Sequence, residues 1–294
     1  MEIFKASCKL MLFGEYIILR GSKSLAFPLK FGQTLAVEKN DQLNWKSIAP
    51  SGTWFEAEFS ESLELISTTN SETAEILRKI LLKIKTLNPS LNLINAFTAT
   101  ADFKLEWGLG SSSTLLSLLA QWSQTDPYIL LDESFGGSGY DIACATANSP
   151  IIYTIDGRKV EATELKPAIT DHFLFVYLGE KQSSRNEIKR FEKNEVTQKD
   201  IQQMDGIIDT AIKVSSIEEF EECLNQAEQL LSPIIGKQTL KEHIFADYSY
   251  CIKSLGAWGG DFFLATFRDL DKAKTYFSNK GLTTFFTYNE MVKN

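Results

Sequence analysis

The residues with the clearest chemical potential in this chain are Trp107-Gly108-Leu109-Gly110-Ser111-Ser112-Ser113-Thr114, followed by the apolar run Leu115–Trp122. Two glycines let the backbone turn where a Cβ would clash and let it approach a ligand closely. The hydroxyl residues then stand where a helix must begin. A helix start offers unpaired N–H groups and the positive end of a dipole, and both suit a phosphate. Serine hydroxyls add donors for phosphate oxygens and an oxygen ligand for magnesium. A serine-capped helix after an ordinary glycine turn would read the same way, so the stretch needs company. Two common nucleotide motifs do not fit. The dinucleotide fingerprint requires a third glycine where Ser113 stands, and the Walker loop requires a Gly-Lys pair that is missing.

Three further clusters supply that company. Phe135-Gly136-Gly137-Ser138-Gly139-Tyr140-Asp141-Ile142-Ala143-Cys144-Ala145 puts an aspartate directly after a glycine-rich loop. Beside a phosphate site, such a carboxylate could accept the proton of a substrate hydroxyl or bind magnesium. As a purely structural feature, Asp141 would cap a helix of small residues. Leu255-Gly256-Ala257-Trp258-Gly259-Gly260-Asp261 reads either as a glycine-rich hairpin or as a second backbone cradle. Gly179-Glu180-Lys181-Gln182-Ser183-Ser184-Arg185, with Lys189 and Arg190 beyond it, is the one locally basic, hydroxyl-rich loop of an acidic protein. A solvated charged face is its plain reading.

Composition limits what such sites can serve. The 294 residues carry 30 Lys and Arg against 38 Asp and Glu, a net charge of −8, which disfavours general binding to nucleic acid or anionic membranes. Cys8, Cys144, Cys223 and Cys251 form no Cys-x-x-Cys pair, and reduced thiols in a cytoplasm are expected. With only His172 and His243, little remains for a histidine metal site or a Ser-His-Asp triad. No apolar run approaches the length of a membrane span.

The elements that must position these clusters divide into two styles. Up to Phe103 the chain is rich in strand signals: Ile3–Ala6, Lys9–Phe13, Leu25–Pro28, Gln33–Lys39, Leu43–Ile48, Trp54–Phe59 and Phe97–Phe103. One helix interrupts them, with Leu77, Ile80, Leu81, Ile84 and Leu87 on a face and a Thr69/Glu72 capping box. Later come a buried strand at Phe173–Leu178 and a helix through Ile201–Ala211. A second helix is opened by the Ser216/Glu219 box and closed by Pro233, and strands follow at Ile252–Ser254 and Phe262–Thr266. A short helix and a strand near Thr284–Thr287 finish the chain. This pattern predicts α+β architecture in two domains, 1–160 and 161–294, the second a small sandwich.

Taken in order, the clusters resemble the GHMP kinase superfamily over essentially the whole length. Lys9-Leu10-Met11-Leu12-Phe13-Gly14-Glu15-Tyr16 through Leu25-Ala26-Phe27-Pro28 is similar to its first motif, and Gly108–Ser113 to its phosphate loop. Ser138-Gly139-Tyr140-Asp141-Ile142-Ala143 resembles the segment carrying the catalytic aspartate of mevalonate-type members. Gly256-Ala257-Trp258-Gly259-Gly260-Asp261 resembles the third glycine motif, with a phosphomevalonate-kinase-like ending. The resemblance is to the mevalonate and phosphomevalonate kinase branch, in a bacterial Gly-Tyr-Asp-Ile-Ala subgroup. It implies a β-rich ATP-binding domain with central helices and a ferredoxin-like C-terminal sandwich. It also implies ATP and Mg2+ as cofactors, a small anionic acceptor as substrate, and a cytoplasmic monomer or homodimer.

The roles implied are these. Asp141 and Lys9 act in catalysis. Gly108, Leu109, Gly110, Ser111, Ser112, Ser113, Gly256, Gly259 and Gly260 hold the nucleotide. Glu15, Ser138, Gly139, Lys181, Ser183, Ser184 and Arg185 meet the acceptor. Ser112 and Glu133 are the candidates for the metal. The chain departs from the pattern at Lys104-Leu105-Glu106-Trp107, which replaces a proline and a small residue before the loop, at Trp258, where small residues are usual, and at the spacing of Glu133 from Asp141. Alternatives on the same fold are a catalytically silent nucleotide- or metabolite-binding protein, a sugar- or homoserine-type kinase, and a mevalonate diphosphate decarboxylase.

Overall fold

A computed structural model describes residues 1–179, 187, 190–191, 193–256, 258 and 260–293. The chain forms two compact units that interleave along the sequence. The first comprises Met1–Lys9, Phe31–Leu105 and Leu109–Thr146; the second comprises Leu10–Lys30, Glu106–Gly108 and the chain from Ala147 onward. The unit boundaries therefore fall inside the first two strands and inside the glycine-serine loop, whereas the sequence reading places a single boundary after residue 160.

Strand β1 (Glu2–Phe13) is continuous where a short break is expected, and pairs with β2 (Lys23–Lys39). In the first unit, β3 (Leu43–Ala49), β4 (Gly52–Phe59), β5 (Leu65–Thr68) and β6 (Asn95–Ala101) extend the sheet in the order β5-β4-β3-β6-β2. The β3–β6 pair is parallel and the other pairs are antiparallel. Helices α1 (Ser71–Leu87), α2 (Ser111–Ser123), α3 (Pro127–Ser134) and α4 (Tyr140–Thr146) complete the unit. Leu77, Ile80, Leu81 and Ile84 of α1 and Leu116, Leu119 and Trp122 of α2 share one core with Val37, Trp45, Phe55 and Phe97. Phe97 stacks on Trp45 at 5.4 Å and meets Trp122 edge-on at 4.8 Å. Offset and edge-on contacts of this kind suit the ring quadrupoles. The cap of α1 is Asn70, whose side chain accepts the Thr73 N–H, instead of the expected Thr69 box. Helix α3 has no counterpart in the sequence reading; Asp126 caps it and Pro127 opens it.

In the second unit, residues Lys23–Ala26 of β2 pair with β7 (Ile151–Thr154), which pairs with β8 (Lys159–Ala162). After α5 (Pro167–Thr170), a second sheet is built from β9 (Phe173–Tyr177), β10 (Ile252–Ser254), β11 (Phe262–Thr266) and β12 (Phe285–Thr287) in the antiparallel order β10-β11-β9-β12. Its helices are α6 (Gln198–Ala211), α7 (Ile217–Ile235), α8 (Leu240–His243), α9 (Leu270–Asn279) and α10 (Tyr288–Met291). With α6 and α7 after the first strand and α9 before the last, this order is that of a ferredoxin-like sandwich. Leu174, Val176, Phe263 and Ala265 pack with Phe245 and Phe277 on one face. The Ser216/Glu219 capping box opens α7 as its spacing predicts. Pro233 does not close the helix. It removes one N–H near the end, and the chain turns two residues beyond Ile234 at Gly236, which is left-handed. Among the described residues, no helix is long and apolar enough to cross a membrane.

Candidate active site

In the first unit, the chain enters α2 through Gly110, whose φ of 93° belongs to glycine. Among the described residues no side chain caps the helix, and its first turn contains no acidic residue. Ser111, Ser112 and Ser113 lie inside that turn, with Ser112 exposed, so the serine-cap reading does not hold. An uncapped first turn leaves N–H groups that an anion can take up. Gln33 of β2 fastens this turn: its amide donates to the Ser111 carbonyl and to the Thr114 hydroxyl, both at 2.8 Å.

Lys9 reaches the same place from β1. Its main-chain N–H donates to the carbonyl of buried Leu109 at 3.2 Å. Its side-chain stem passes over Gly110, where a Cβ would stand 2.9 Å from Lys9 Cε and 3.6 Å from Asp141 Oδ1. The ammonium pairs with Asp141 Oδ1 at 3.3 Å, on side chains that are 13% and 24% exposed. Burial pulls the lysine down. The Tyr140 hydroxyl and the Asp141 carboxylate outweigh that effect and hold the ammonium above the usual lysine range. Asp141 stands in the first turn of α4. That turn starts from Gly139, whose carbonyl accepts the N–H groups of Ile142 and Ala143, and follows buried Ser138. Burial raises the Cys8 and Cys144 thiols on either side, which leaves them poor nucleophiles.

The loop's stem, Glu106–Gly108, is anchored in the second unit. Trp107 packs against Phe286 at 5.3 Å and Phe262 at 5.9 Å, and the Tyr177 hydroxyl donates to the Glu106 carbonyl at 3.1 Å. Gly108 must lack a Cβ, because one would lie 2.2 Å from the Asp261 carboxylate. Trp107, in the stretch where the chain departs from the pattern it resembles, is thus an aromatic anchor. Asp261 is the loop's unforeseen partner, and the Gly-Gly-Asp ending was its only trace in the sequence. In the third glycine cluster Gly256 is left-handed and Gly260 is buried. Trp258 is fully buried, and Lys237 donates to its carbonyl at 3.0 Å. Gly259, Lys181, Ser183, Ser184 and Arg185 lie outside the described residues.

Two expected site residues are engaged elsewhere. Glu133 sits on α3 with its carboxylate more than half exposed and paired to Lys83 of α1 at 2.9 Å. Among the described residues no group of three His, Cys, Asp or Glu side chains could hold a metal ion. Glu15, expected at the acceptor, is 2% exposed and pairs with buried Lys253 at 2.7 Å, because an ammonium taken out of water must find a counter-charge. Lys253 also lies 3.2 Å from Glu228. Burial pushes the Glu15 carboxyl up from 4.5 to about 7 despite Lys253, and raises Glu228 too. A carboxyl that binds its proton more tightly in the folded chain stabilises fully below its unfolded value, and the contribution is lost as pH rises through the folded one. The melting temperature is therefore expected to fall between about pH 5 and pH 8, and Glu15→Gln to flatten that slope. Thermal scans of both proteins across this range check it; parallel slopes would contradict it.

On the phosphate-loop reading of Gly108–Ser113, Gly110→Val should weaken nucleotide binding while the fold survives. A branched Cβ is strained at this φ, displaces the Lys9 stem and blocks backbone approach to a phosphate. Calorimetric titration with an ATP analogue should show affinity reduced at least tenfold, with the melting transition still cooperative.

No family model and no curated relative matches the sequence. Solved structures do match it, along nearly the full length of both chains. Phosphomevalonate kinase of Streptococcus pneumoniae, in complex with phosphomevalonate and AMPPNP, is 18% identical at a TM-score of 0.72, covering 98% of this chain and 100% of that one. Mevalonate kinase of Methanococcus jannaschii is 17% identical at 0.69, covering 100% and 98%. Galactokinase of Lactococcus lactis, complexed with galactose, is 13% identical at 0.68, covering 97% and 92%. This chain therefore has the fold of these mevalonate kinase, phosphomevalonate kinase and galactokinase structures.

Proposed function

We propose that the protein is an ATP-dependent small-molecule kinase that phosphorylates a mevalonate- or phosphomevalonate-like acceptor. The observation that carries the reading is the Lys9–Asp141 pair, 3.3 Å apart and laid over Gly110 at the uncapped start of α2. An anion-binding helix start, a fixed cation and a carboxylate in one place are what in-line phosphoryl transfer requires, since catalysis there is mostly positioning and charge neutralisation. The N–H groups of Ser111–Ser113 would bind nucleotide phosphates. The γ-phosphate would go to a hydroxyl or a phosphate of the acceptor: a hydroxyl would give its proton to Asp141 as its oxygen bonds the γ-phosphorus, whereas an acceptor phosphate oxygen, already deprotonated, would attack without that transfer; in either case the bond from that phosphorus to the bridging oxygen breaks and ADP leaves. Lys9 would neutralise charge on the transferring oxygens. Magnesium, which takes few carboxylates and keeps substrate phosphates and waters as ligands, would neutralise phosphate charge when bound. The exposed Ser112 hydroxyl suits it, and Glu133, paired to Lys83, does not.

The AMPPNP and phosphomevalonate held by one structural neighbour support this nucleotide and acceptor class. The likeness to a galactokinase keeps sugars in the test. The deciding experiment is ADP release with ATP and magnesium over mevalonate, phosphomevalonate, homoserine and small sugars. Saturable release with one of the first two is the expected result, and no release with any acceptor would refute the kinase reading.

A further inference from the structure

Strand β2 breaks its own pattern at Gln33. Successive strand residues alternate between faces, so Gln33 shares a face with Leu35 and Val37, which are buried in the core of the first unit. Gln33 is itself 8% exposed, opposite Ala101 of β6. An amide at a core-facing position gives up its hydration and needs hydrogen bonds in return. It finds them at the start of α2. Gln33 Nε2 donates to the Ser111 carbonyl and to the Thr114 hydroxyl, both at 2.8 Å, and that hydroxyl donates to the same carbonyl at 2.9 Å. A carbonyl oxygen can only accept, so the chemistry itself fixes which end of the amide faces the turn. Thr114 is buried, and its main-chain N–H closes the turn on the Gly110 carbonyl at 3.1 Å.

The side from which this brace holds the turn sets it apart. An Asp, Asn, Ser or Thr cap steadies a helix start by accepting the N–H of the second or third residue, and so consumes donors that an anion would use. Gly110 supplies no such cap. Gln33 and Thr114 grip the Ser111 carbonyl instead, and as donors they take up none of the N–H groups of Ser111, Ser112 and Ser113. Hydrogen bonds to that carbonyl also draw charge through the amide resonance, which strengthens the N–H of the same peptide unit, that of Ser112. Resting on the phosphate-loop part of the kinase reading, we infer that Gln33 is a positioning residue of the nucleotide site: braced on the Ser111 carbonyl, it keeps the first turn of α2 formed while the N–H groups stay open to a phosphate. It acts through Ser111 and Thr114. A polar residue at a position patterned for the core is the kind of local exception that functional sites carry.

Gln33→Met keeps the length of the side chain on the core face and removes the donor. Two measurements test the inference. The first needs no nucleotide: amide hydrogen exchange at Thr114 should be about tenfold faster in Gln33→Met than in the parent, with Leu118, Leu119 and Ala120 of the same helix unchanged. A general loss of packing would quicken exchange along the whole helix. The second reads the nucleotide: affinity for AMPPNP by calorimetry should fall about fivefold, and the KM for ATP on the best acceptor should rise likewise with kcat within about twofold. Gln33→Glu at pH 8 has the amide's shape but sets an acceptor against the Ser111 carbonyl. It should show both effects more strongly, and it carries the test if Gln33→Met does not fold. Unchanged exchange at Thr114 overturns the inference, and so does faster exchange with AMPPNP affinity intact. If the parent itself does not bind AMPPNP, the phosphate-loop reading falls instead, and the exchange comparison still decides whether Gln33 braces the turn.

Discussion

Asp141→Asn is expected to lower turnover roughly 10²–10⁴-fold, the usual contribution of a positioned acid or base. Asparagine has the same shape and one oxygen in the same place, but it cannot take up the proton of an acceptor hydroxyl. It also leaves the Lys9 ammonium, now paired at 3.3 Å, without its counter-charge. Nucleotide affinity should change little, because Gly110 and the Gln33 clamp hold the first turn of α2 and the substitution alters neither. The loss should therefore fall on kcat, with ATP binding by calorimetry within a few-fold of the parent. Near-normal turnover in Asp141→Asn would remove the carboxylate from the chemistry, and loss of ATP binding would mean that α4 and the loop are one structural unit.

The candidate site was legible in the sequence as far as its chemistry is local. Gly110 and the serines announce a tight turn into a helix within six residues. The sequence overestimated the serines as caps, because a glycine in the left-handed region can begin a helix with no side-chain cap. Lys9 and Asp141 are 132 positions apart, and only the resemblance to known kinases put them together. Asp261 against Gly108 is likewise a contact that spacing cannot encode.

The fold shows the same division. Alternation found most strands, but β2 was split in two at Pro28. Proline cannot donate to a ladder, so a strand is expected to stop there. Pro28 is tolerated because it falls between Lys23–Ala26, which pair with β7, and Gln33–Lys39, which pair with β6; its missing N–H costs neither register a bond. Pro233 misled in the same way at the end of α7, where few hydrogen bonds remain to be lost. A breaker residue reports the cost of a position, and the tertiary partners decide whether the cost arises.

The largest stability effect is expected at Lys253. Its ammonium is fully buried, 2.7 Å from Glu15 and 3.2 Å from Glu228, 5.4 Å from the centre of the Trp258 ring, and donating to the Ser254 carbonyl at 2.6 Å. Glu228 is further held by the Ser254 N–H at 3.1 Å and hydroxyl at 3.0 Å, whereas Glu15 Oε2 has no hydrogen-bond partner among the described residues. Lys253→Met keeps the volume and removes the charge, leaving two buried carboxyl groups that face each other. Breaking a buried ion pair by removing one partner costs about 3–5 kcal/mol, mostly the desolvation of what is left behind. In a chain of this size that is roughly a 6–20 °C drop in melting temperature. The carboxyls can escape by protonating, so the loss should be smaller at pH 5 than at pH 8. A second variant separates charge from packing: Lys253→Met with Glu15→Gln and Glu228→Gln removes all three charges and should regain much of the loss at pH 8, since a buried ion cluster replaced as a whole is often neutral. Denaturant and thermal midpoints of the parent, the single and the triple variant at both pH values decide it. A single variant within 2 °C of the parent at pH 8 would mean that water reaches the cluster. A triple variant no more stable than the single would mean that the hydrogen bonds to Ser254, and not the charges, hold β10 to α7.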